Sequence, residues 1–257
     1  MKAKTAASPV KTAARTLDIF EVFRTAGEPL SLTELSERIN SPVSSCHALV
    51  KTLQARGYIY TLDQRRHIYP TKRLLEVATD IARRDPLVRK ITPLMTALRD
   101  ETGETVIMGK RQGDAIIYLD VIEGTHTIRY TAHPGETKPL HSSSIGKAML
   151  SLLPDADMER LLGKRLSAPT PNTLTDLALL KADIAEGRAR GCFITRGENV
   201  ADVMALAIVR RIAGETLGFA LAGPIARVEQ NYDRYLSRVM AFGADLAALD
   251  ETLSRVR

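Results

Sequence analysis

The residues best placed for chemistry lie on one short stretch, residues 41–57. Ser44, Ser45, His47 and Lys51 recur there at intervals that place them on one side of a helix. Their side chains donate and accept hydrogen bonds, and Lys51 adds a positive charge. A rigid helix with a polar, mildly basic face is what the reading of base edges in a DNA groove requires. The stretch is therefore a candidate DNA-reading helix, although His47 has the alternative of simply packing on its neighbours.

The ends of this helix are also marked in the sequence. Ser41 is expected to cap its first N–H groups, Pro42 suits the first helical position, and Gly57 suits the left-handed conformation that ends a helix. The side opposite the polar face should be buried. Its apolar stripe consists of Val43, Cys46, Leu49, Val50 and Leu53.

A second candidate is the serine-rich stretch at residues 141–147. Ser144 and Lys147 have the Ser-x-x-Lys spacing of serine acyltransferases, but neither Ser-Asp-Asn nor Lys-Thr-Gly occurs in the chain. The stretch also ends in Gly-Lys like a phosphate-binding loop, yet His141 stands at the first glycine position and Ala148 at the Mg²⁺ ligand position. We therefore predict neither an enzyme nor a nucleotide site.

Composition narrows the classes of protein further. Cys46 and Cys192 are far apart, and the five histidines show no metal-ligand spacing, so no disulfide, metal or other cofactor is expected. The formal net charge of +6 favours a polyanion such as DNA as a partner. No apolar run approaches the roughly 20 residues of a membrane helix, and the basic N-terminus lacks the apolar core of a signal peptide. We therefore expect a cytoplasmic protein with no membrane partner.

The elements around residues 41–57 predict how that helix is held. Two helices are expected before it, and the second opens with a capping box of Ser31 and Glu34. Two short strands with a polar turn follow it, so that three helices and a basic hairpin predict a winged helix-turn-helix. Arg65 and Arg66 at the hairpin tip would reach phosphate or the minor groove, unless the turn is only a solvated surface. The first helix should bury Ala13, Leu17, Phe20 and Phe23, with Ile19 widening the stripe.

The remainder of the chain predicts an α+β domain around one antiparallel sheet, because strands paired by hairpins are then interrupted by helices. Strands are expected at residues 104–110, 115–122, 126–130, 205–212 and 216–222. Helices are expected at residues 71–84, 87–102, 144–152, 155–162 and 174–190, with a final amphipathic helix after them. The expected divisions are a flexible basic tail at 1–10, a winged helix-turn-helix DNA-binding domain at 11–71, a linker helix at 72–85, and a larger domain at 86–257.

These motifs together resemble the IclR family of bacterial transcriptional regulators over nearly the whole chain. The resemblance rests on the order and spacing of Ser31-Leu32-Thr33-Glu34-Leu35, Ser44-Ser45-Cys46-His47, Gly57-Tyr58, Gly103-Glu104-Thr105-Val106, Tyr118-Leu119-Asp120, Pro139-Leu140-His141-Ser142, Gly146-Lys147-Ala148 and Ala222-Gly223-Pro224. It implies a winged helix, a linker helix and a C-terminal effector-binding and oligomerisation domain with a GAF-like fold. It also implies a homodimer, often paired into a homotetramer, that acts as a repressor or activator on a palindromic double-stranded DNA operator.

The resemblance assigns the DNA contacts with one departure. Family members usually carry basic residues where this chain has Val43 and Ala48, so two cationic contacts are missing. The sequence specificity of the helix should therefore depend in part on the shape of the DNA. Thr12 and Arg15 match family positions near the DNA backbone. The full set of expected DNA-binding residues is Thr12, Arg15, Ser44, Ser45, His47, Lys51, Arg65 and Arg66.

The resemblance also places an effector over the sheet, against the helix that starts near Ser144. Free N–H groups at a helix start favour a carboxylate, although Ser143 or Ser144 could simply cap the helix there. Relatives that bind small keto acids carry polar residues where this chain has alanines, which favours an aromatic or otherwise largely apolar organic acid. The expected effector-binding residues are Met108, His141, Ser143, Ser144, Ile145, Thr195, Ala205, Ala220 and Ala222. The alternative is a C-terminal domain that serves only oligomerisation.

Overall fold

The computed structural model describes residues 10–62, 66–163 and 165–255. The chain divides between Asp85 and Pro86 into an N-terminal unit and a C-terminal unit. The sequence-based expectation of a tail at residues 1–10 falls, except for Val10, outside the described residues. No helix within the described ranges is long and apolar enough to cross a membrane.

The N-terminal unit is a winged helix-turn-helix. Its elements are α1 (Lys11–Ala26), α2 (Leu32–Arg38), α3 (Val43–Ala55), β1 (Ile59–Leu62), β2 (His67–Pro70) and α4 (Arg73–Arg84). The strands β1 and β2 pair antiparallel as the wing. Asn40 takes a left-handed conformation between α2 and α3, which asparagine tolerates better than most residues and which allows a tight turn.

Local signals explain where these helices begin and end. The expected capping box is present: Ser31 N–H donates to Glu34 Oε2 at 2.8 Å, and Glu34 N–H donates to Ser31 Oγ at 3.3 Å. Gly57 has φ 77°, as expected for the residue that ends α3. The core of the unit joins α1, α2 and α3 to the wing. Its residues are Ile19, Phe23, Leu30, Leu35, Ile39, Cys46, Val50, Leu53, Ile59 and Ile68.

Three sequence-based details of this unit are wrong. Pro42, not Ser41, is the N-cap of α3, and the buried Ser41 hydroxyl has no hydrogen-bond partner among the described residues. Val43 is 47% exposed because the first turn of α3 extends beyond the core formed by its later residues. Leu17 is 67% exposed and Ala13 is also exposed, since α1 turns Ile19 and Phe23 inward instead.

The C-terminal unit is an α+β domain around a six-stranded antiparallel sheet with strand order β5-β4-β3-β8-β7-β6. The strands are β3 (Thr105–Gln112), β4 (Ala115–Ile122), β5 (Thr137–Pro139), β6 (Phe193–Arg196), β7 (Val203–Ile212) and β8 (Glu215–Pro224). The helices are α5 (Pro86–Thr102), α6 (Ser144–Leu150), α7 (Asp155–Leu162), α8 (Leu177–Arg190), α9 (Ile225–Gln230) and α10 (Tyr232–Arg255).

The two faces of this sheet carry different side chains. Large apolar residues such as Met108, Leu206 and Phe219 face α5 and α10 and form one core. The opposite face carries small residues, including Ala205 and Ala220, and packs with α6 and α8 in a second core. The second face therefore has room beside it that the first face lacks.

The sequence-based assignment of strands in this unit needs correction. Residues 126–130 are not a strand: Ile128 is 73% exposed, and the backbone of this segment accepts hydrogen bonds from Thr105 Oγ1 at Tyr130 O and from Arg227 Nη2 at Ile128 O. The edge strand is β5 instead. The strand β6 and the helix α9 were not expected, and α8 begins at Leu177, where Asp176 caps it, rather than at residue 174.

Candidate functional site

A cavity lies between the small-residue face of the sheet and the start of α6. The centre of a water-sized sphere can occupy about 30 Å³ of it, and about 410 Å³ of space free of atoms, which includes open solvent, lies among its lining residues. Its lining residues are Ile107, Tyr118, Tyr130, Ser143, Ser144, Ile145, Thr195, Asn199, Val200, Val203, Ala205, Ala220 and Ala222. None of these residues carries a charged side chain: seven are apolar, and six carry a neutral polar group.

Strand register creates the space. Ala205 of β7 pairs with Thr195 of β6 on one side and with Ala222 of β8 on the other, so three small side chains lie in one row across the sheet. Ala220 lies two residues from Ala222 on β8 and therefore points to the same face. Methyl groups at these positions leave the volume that larger side chains would fill.

The start of α6 supplies polar groups at the cavity wall. Ser143 is the N-cap: its Oγ accepts from Gly146 N–H at 3.2 Å and donates to Pro139 O at 2.7 Å. The next two N–H groups, of Ser144 and Ile145, belong to the first turn and have no acceptor within the helix. Ser143 thus caps the helix, as one of the sequence-based alternatives expects, and Ser144 and Ile145 of the same turn are among the lining residues of the cavity.

Two tyrosines, Tyr118 and Tyr130, are among the lining residues of the cavity. Burial raises the pKa of Tyr118 far above its usual value, and the adjacent Tyr130 raises it further. Lys138 Nζ lies 5.8 Å from the centroid of the Tyr118 ring, within the range of a cation–π contact, and 3.0 Å from Glu136 Oε2. The Tyr118 hydroxyl is therefore neutral at physiological pH and can both donate and accept a hydrogen bond.

A buried ion cluster holds two walls of the cavity together. Lys147 of α6 is fully buried, and its Nζ lies 2.7 Å from Glu198 Oε1 and Oε2 and 2.8 Å from Asp183 Oδ2 of α8. Burial raises the pKa of Glu198, and the attraction to Lys147 offsets this only in part. Asn199, the next residue, lines the cavity and donates through Nδ2 to Ser142 Oγ at 3.1 Å. The cluster therefore joins α6 to the loop between β6 and β7.

Two of the expected cavity residues lie elsewhere. Met108 faces the core with α5 and α10, because alternation along β3 directs its neighbour Ile107 to the cavity. His141 is buried outside the cavity, where its Nε2 lies 2.8 Å from Ser167 O, beside a groove at the edge of the sheet. The expected residues that do line the cavity are Ser143, Ser144, Ile145, Thr195, Ala205, Ala220 and Ala222.

Sequence reasoning missed six lining residues: Ile107, Tyr118, Tyr130, Asn199, Val200 and Val203. For Tyr118 the alternation along β4 was an available signal, whereas both faces of β3 are buried and do not reveal which side Ile107 faces. Val203 lies two residues before the expected effector-binding residue Ala205 on the same strand and therefore points to the same face. No local signal brings Tyr130 or Asn199 to the cavity, because each lies outside the regular elements.

The N-terminal unit presents a second candidate surface on α3. Ser44, His47 and Lys51 are exposed, whereas Ser45 is half-buried. Gln54 Nε2 donates to Thr61 Oγ1 at 2.8 Å, which ties α3 to the wing.

The other expected DNA contacts lie on α1 and at the wing. Thr12 is exposed and Arg15 half-buried on α1. Arg66 at the wing tip is exposed and has φ 53°, and Arg65 lies outside the described residues. Within the described ranges, no group of three or more His, Cys, Asp or Glu side chains is arranged to hold a metal ion.

Comparison with known proteins connects both units to one family. Residues 12–63 match the IclR helix-turn-helix domain, and residues 79–248 match the C-terminal domain of bacterial IclR transcriptional regulators. The regulator BhcR of Paracoccus denitrificans is 35% identical over 83% of this chain and 77% of its own length. The repressor IclR of Escherichia coli is 29% identical over 97% of this chain and 91% of its own length. The crystal structure of an IclR homologue from Microbacterium hydrocarbonoxydans in complex with 4-hydroxybenzoate is also similar. It is 20% identical, covers 92% of this chain and 99% of its own, and has a TM-score of 0.71.

Proposed function

Because this chain belongs to the IclR family of ligand-responsive bacterial transcriptional regulators, we propose that its cavity binds a small aromatic or otherwise largely apolar organic acid. Binding of this effector changes how the N-terminal unit engages its DNA operator. The observation that carries the proposal is the row of Thr195, Ala205 and Ala222 across the sheet, with Ala220 beside it, in a cavity lined by no charged side chain.

The chemistry of the lining selects the class of ligand. Burial of apolar surface contributes roughly 25 cal/mol per Å², so a flat hydrocarbon ring gains more against alanine methyl groups than a keto acid of few carbons does. A carboxylate can accept from the N–H groups of Ser144 and Ile145 at the start of α6. The hydroxyls of Tyr118 and Tyr130 can bind a polar substituent on the ring. The related structure that holds 4-hydroxybenzoate supports a ligand of this kind.

Calorimetry with a panel of acids tests the ligand class. We expect 4-hydroxybenzoate and similar aromatic acids to bind at least about tenfold more tightly than pyruvate or glyoxylate, because only the ring covers the apolar walls. Replacement of Ala220 with phenylalanine should fill the cavity and abolish binding of every acid. Tight binding of the small keto acids alone would contradict the proposal, and no binding at all would favour a C-terminal unit that serves only oligomerisation.

On the DNA side, we assign the operator contacts to α3, the wing and the start of α1. Ser44, Ser45 and His47 are proposed to contact base edges and Lys51 a phosphate. Thr12, Arg15 and the wing arginines Arg65 and Arg66 complete the proposed set. Phosphate contacts fix the position of the protein on the duplex, and base contacts select the sequence.

The salt dependence of DNA binding tests the wing. Replacement of Arg66 with alanine should weaken binding to all sequences and reduce the slope of log affinity against log salt by about 0.9 for each phosphate that Arg66 neutralises. Arg165→Ala, a change of an exposed arginine in the C-terminal unit, is the matched control and should leave the slope unchanged. An unchanged slope in Arg66→Ala would exclude this residue from the interface.

We further propose that the chain works as a homodimer formed through α4. Leu74, Leu75, Val77 and Ile81 recur at helical spacing on one side of α4, and all four are exposed in the single chain. An apolar stripe that remains exposed to water does not stabilise a monomer. A second copy of the chain can cover it with the same residues of its own α4, which is the arrangement that a two-fold axis requires. A dimer would present two copies of α3 to two operator half-sites.

A further inference from the structure

Two apolar side chains lie exposed on the helix that we propose enters the DNA groove. Val43, the first residue of α3, is 47% exposed, and Ala48, five residues later, is also exposed. The core contacts of α3 are made by Cys46, Val50 and Leu53. Val43 belongs to the same stripe but lies in the first turn, which extends beyond the core, whereas Ala48 lies on the opposite side of the helix. Val43 and Ala48 are therefore free to contact a partner rather than the core of their own unit.

Helical geometry places both residues among the proposed DNA contacts. Residues three and four apart are neighbours on a helix surface, so Ala48 lies between Ser44 and Lys51, and Val43 lies beside His47. The sequence of α3 contains no acidic residue, while Lys51 is positively charged. The charge on this surface suits DNA and opposes a basic protein partner.

We propose that Val43 and Ala48 read the methyl groups of thymines in the major groove. This proposal rests on the proposed DNA contacts of α3. Of the four bases, only thymine displays a methyl group on the floor of the major groove, and an apolar side chain is its natural contact. Serine hydroxyls on the same helix can hydrogen-bond to several different bases and therefore discriminate poorly among them. The apolar pair is what makes α3 selective for thymine.

The separation of the two residues adds a geometric expectation. Val43 and Ala48 are five residues apart, which corresponds to a rise of about 7.5 Å along α3. Successive bases on one strand are about 3.4 Å apart along the duplex. Five residues also correspond to about 1.4 turns, so the two side chains leave the helix in different directions and should contact two different thymines in each half-site.

The test begins with a selection of duplexes from a randomised DNA library by the full-length protein. Each thymine of the selected half-site is then replaced singly by uracil, which removes only the methyl group. We expect affinity to fall about fourfold at each of two thymines, the effect of one buried carbon group, and to stay unchanged at the others. Val43→Ser should remove the thymine preference at one of these positions, and Ala48→Ser at the other.

Controls separate this inference from the proposed DNA role. Leu179→Ser changes an exposed leucine of the C-terminal unit and should leave both thymine preferences intact. Failure to select any duplex would overturn the DNA contacts themselves. A selected duplex that binds equally well with uracil at every position would overturn only the reading of methyl groups. A uracil effect that survives both serine variants would overturn the assignment to Val43 and Ala48. Both serine positions are exposed, so each variant should keep the far-ultraviolet circular dichroism of the wild type.

Discussion

Replacement of Lys147 with methionine is expected to lower the free energy of unfolding of the C-terminal unit by about 3–5 kcal/mol. Methionine keeps much of the side-chain volume but removes the charge that neutralises Glu198 and Asp183. The Lys147 side chain is fully buried, and that of Glu198 is 9% exposed, so water cannot replace the lost partner. Urea denaturation of the two proteins measures the difference.

The variant should also carry a distinctive pH dependence. Burial already raises the pKa of Glu198 above its ordinary value of 4.5, so the folded protein binds this proton more tightly than the unfolded chain does. For such a group, the free energy of unfolding rises as the pH falls toward 4.5 and decreases as the pH rises through the folded pKa. Without Lys147 the folded pKa of Glu198 rises further, so the destabilisation should shrink as the pH falls from neutral toward 4.5.

Lys181→Met is the matched control for this experiment. Lys181 also pairs with two carboxylates, Asp155 and Glu159, but on the protein surface, where an ion pair contributes little. We expect only a small change in stability and no added pH dependence for this variant. Equal stability of Lys147→Met and the wild type at neutral pH would show that the buried cluster does not stabilise the unit.

Replacement of Leu75 with aspartate should raise the dissociation constant of the homodimer by at least about 100-fold. Leu75 is 64% exposed in the single chain and lies in the proposed interface. Because the two copies are related by a two-fold axis, one substitution changes the interface at two places. Loss of a buried leucine costs about 1.5–3 kcal/mol per copy before the cost of burying a carboxylate is added. Sedimentation velocity over a range of protein concentrations measures the change.

Loss of the dimer should in turn weaken operator binding by about 100-fold or more, because the two DNA-reading helices then bind independently. Glu76→Gln is the control on the same helix, since residue 76 lies opposite the apolar stripe and is exposed. This variant should keep both the dimer and the operator affinity. A dimer that persists in Leu75→Asp would place the interface outside α4.

Local sequence signals predicted the elements that depend on local chemistry. The capping box of Ser31 and Glu34 and the left-handed Gly57 fix helix ends through contacts between near neighbours, and both are present. Residues 126–130 alternate like a strand, yet Thr105 and Arg227, distant in sequence, hold that backbone in another conformation. A pattern read over five residues cannot include partners of that kind.

The cavity was predicted in its chemical character more closely than in its residues. Both faces of β3 are buried, so hydrophobicity does not reveal which of Ile107 and Met108 turns to the cavity. The distinction comes from the neighbouring strands, where small residues occupy one face and large residues the other. His141 likewise gave no local hint of its partner, Ser167 O.

The residues that line the cavity are not the residues that hold its walls together, and this separation has an evolutionary consequence. Ala205, Ala220 and Ala222 lie on strands held by backbone ladders, while the ion cluster of Lys147 joins the surrounding walls. A mutation of an alanine to serine or threonine alters the lining without breaking either support. Single substitutions at these positions can therefore change the chemistry of the cavity while the strand ladders and the ion cluster keep its walls in place.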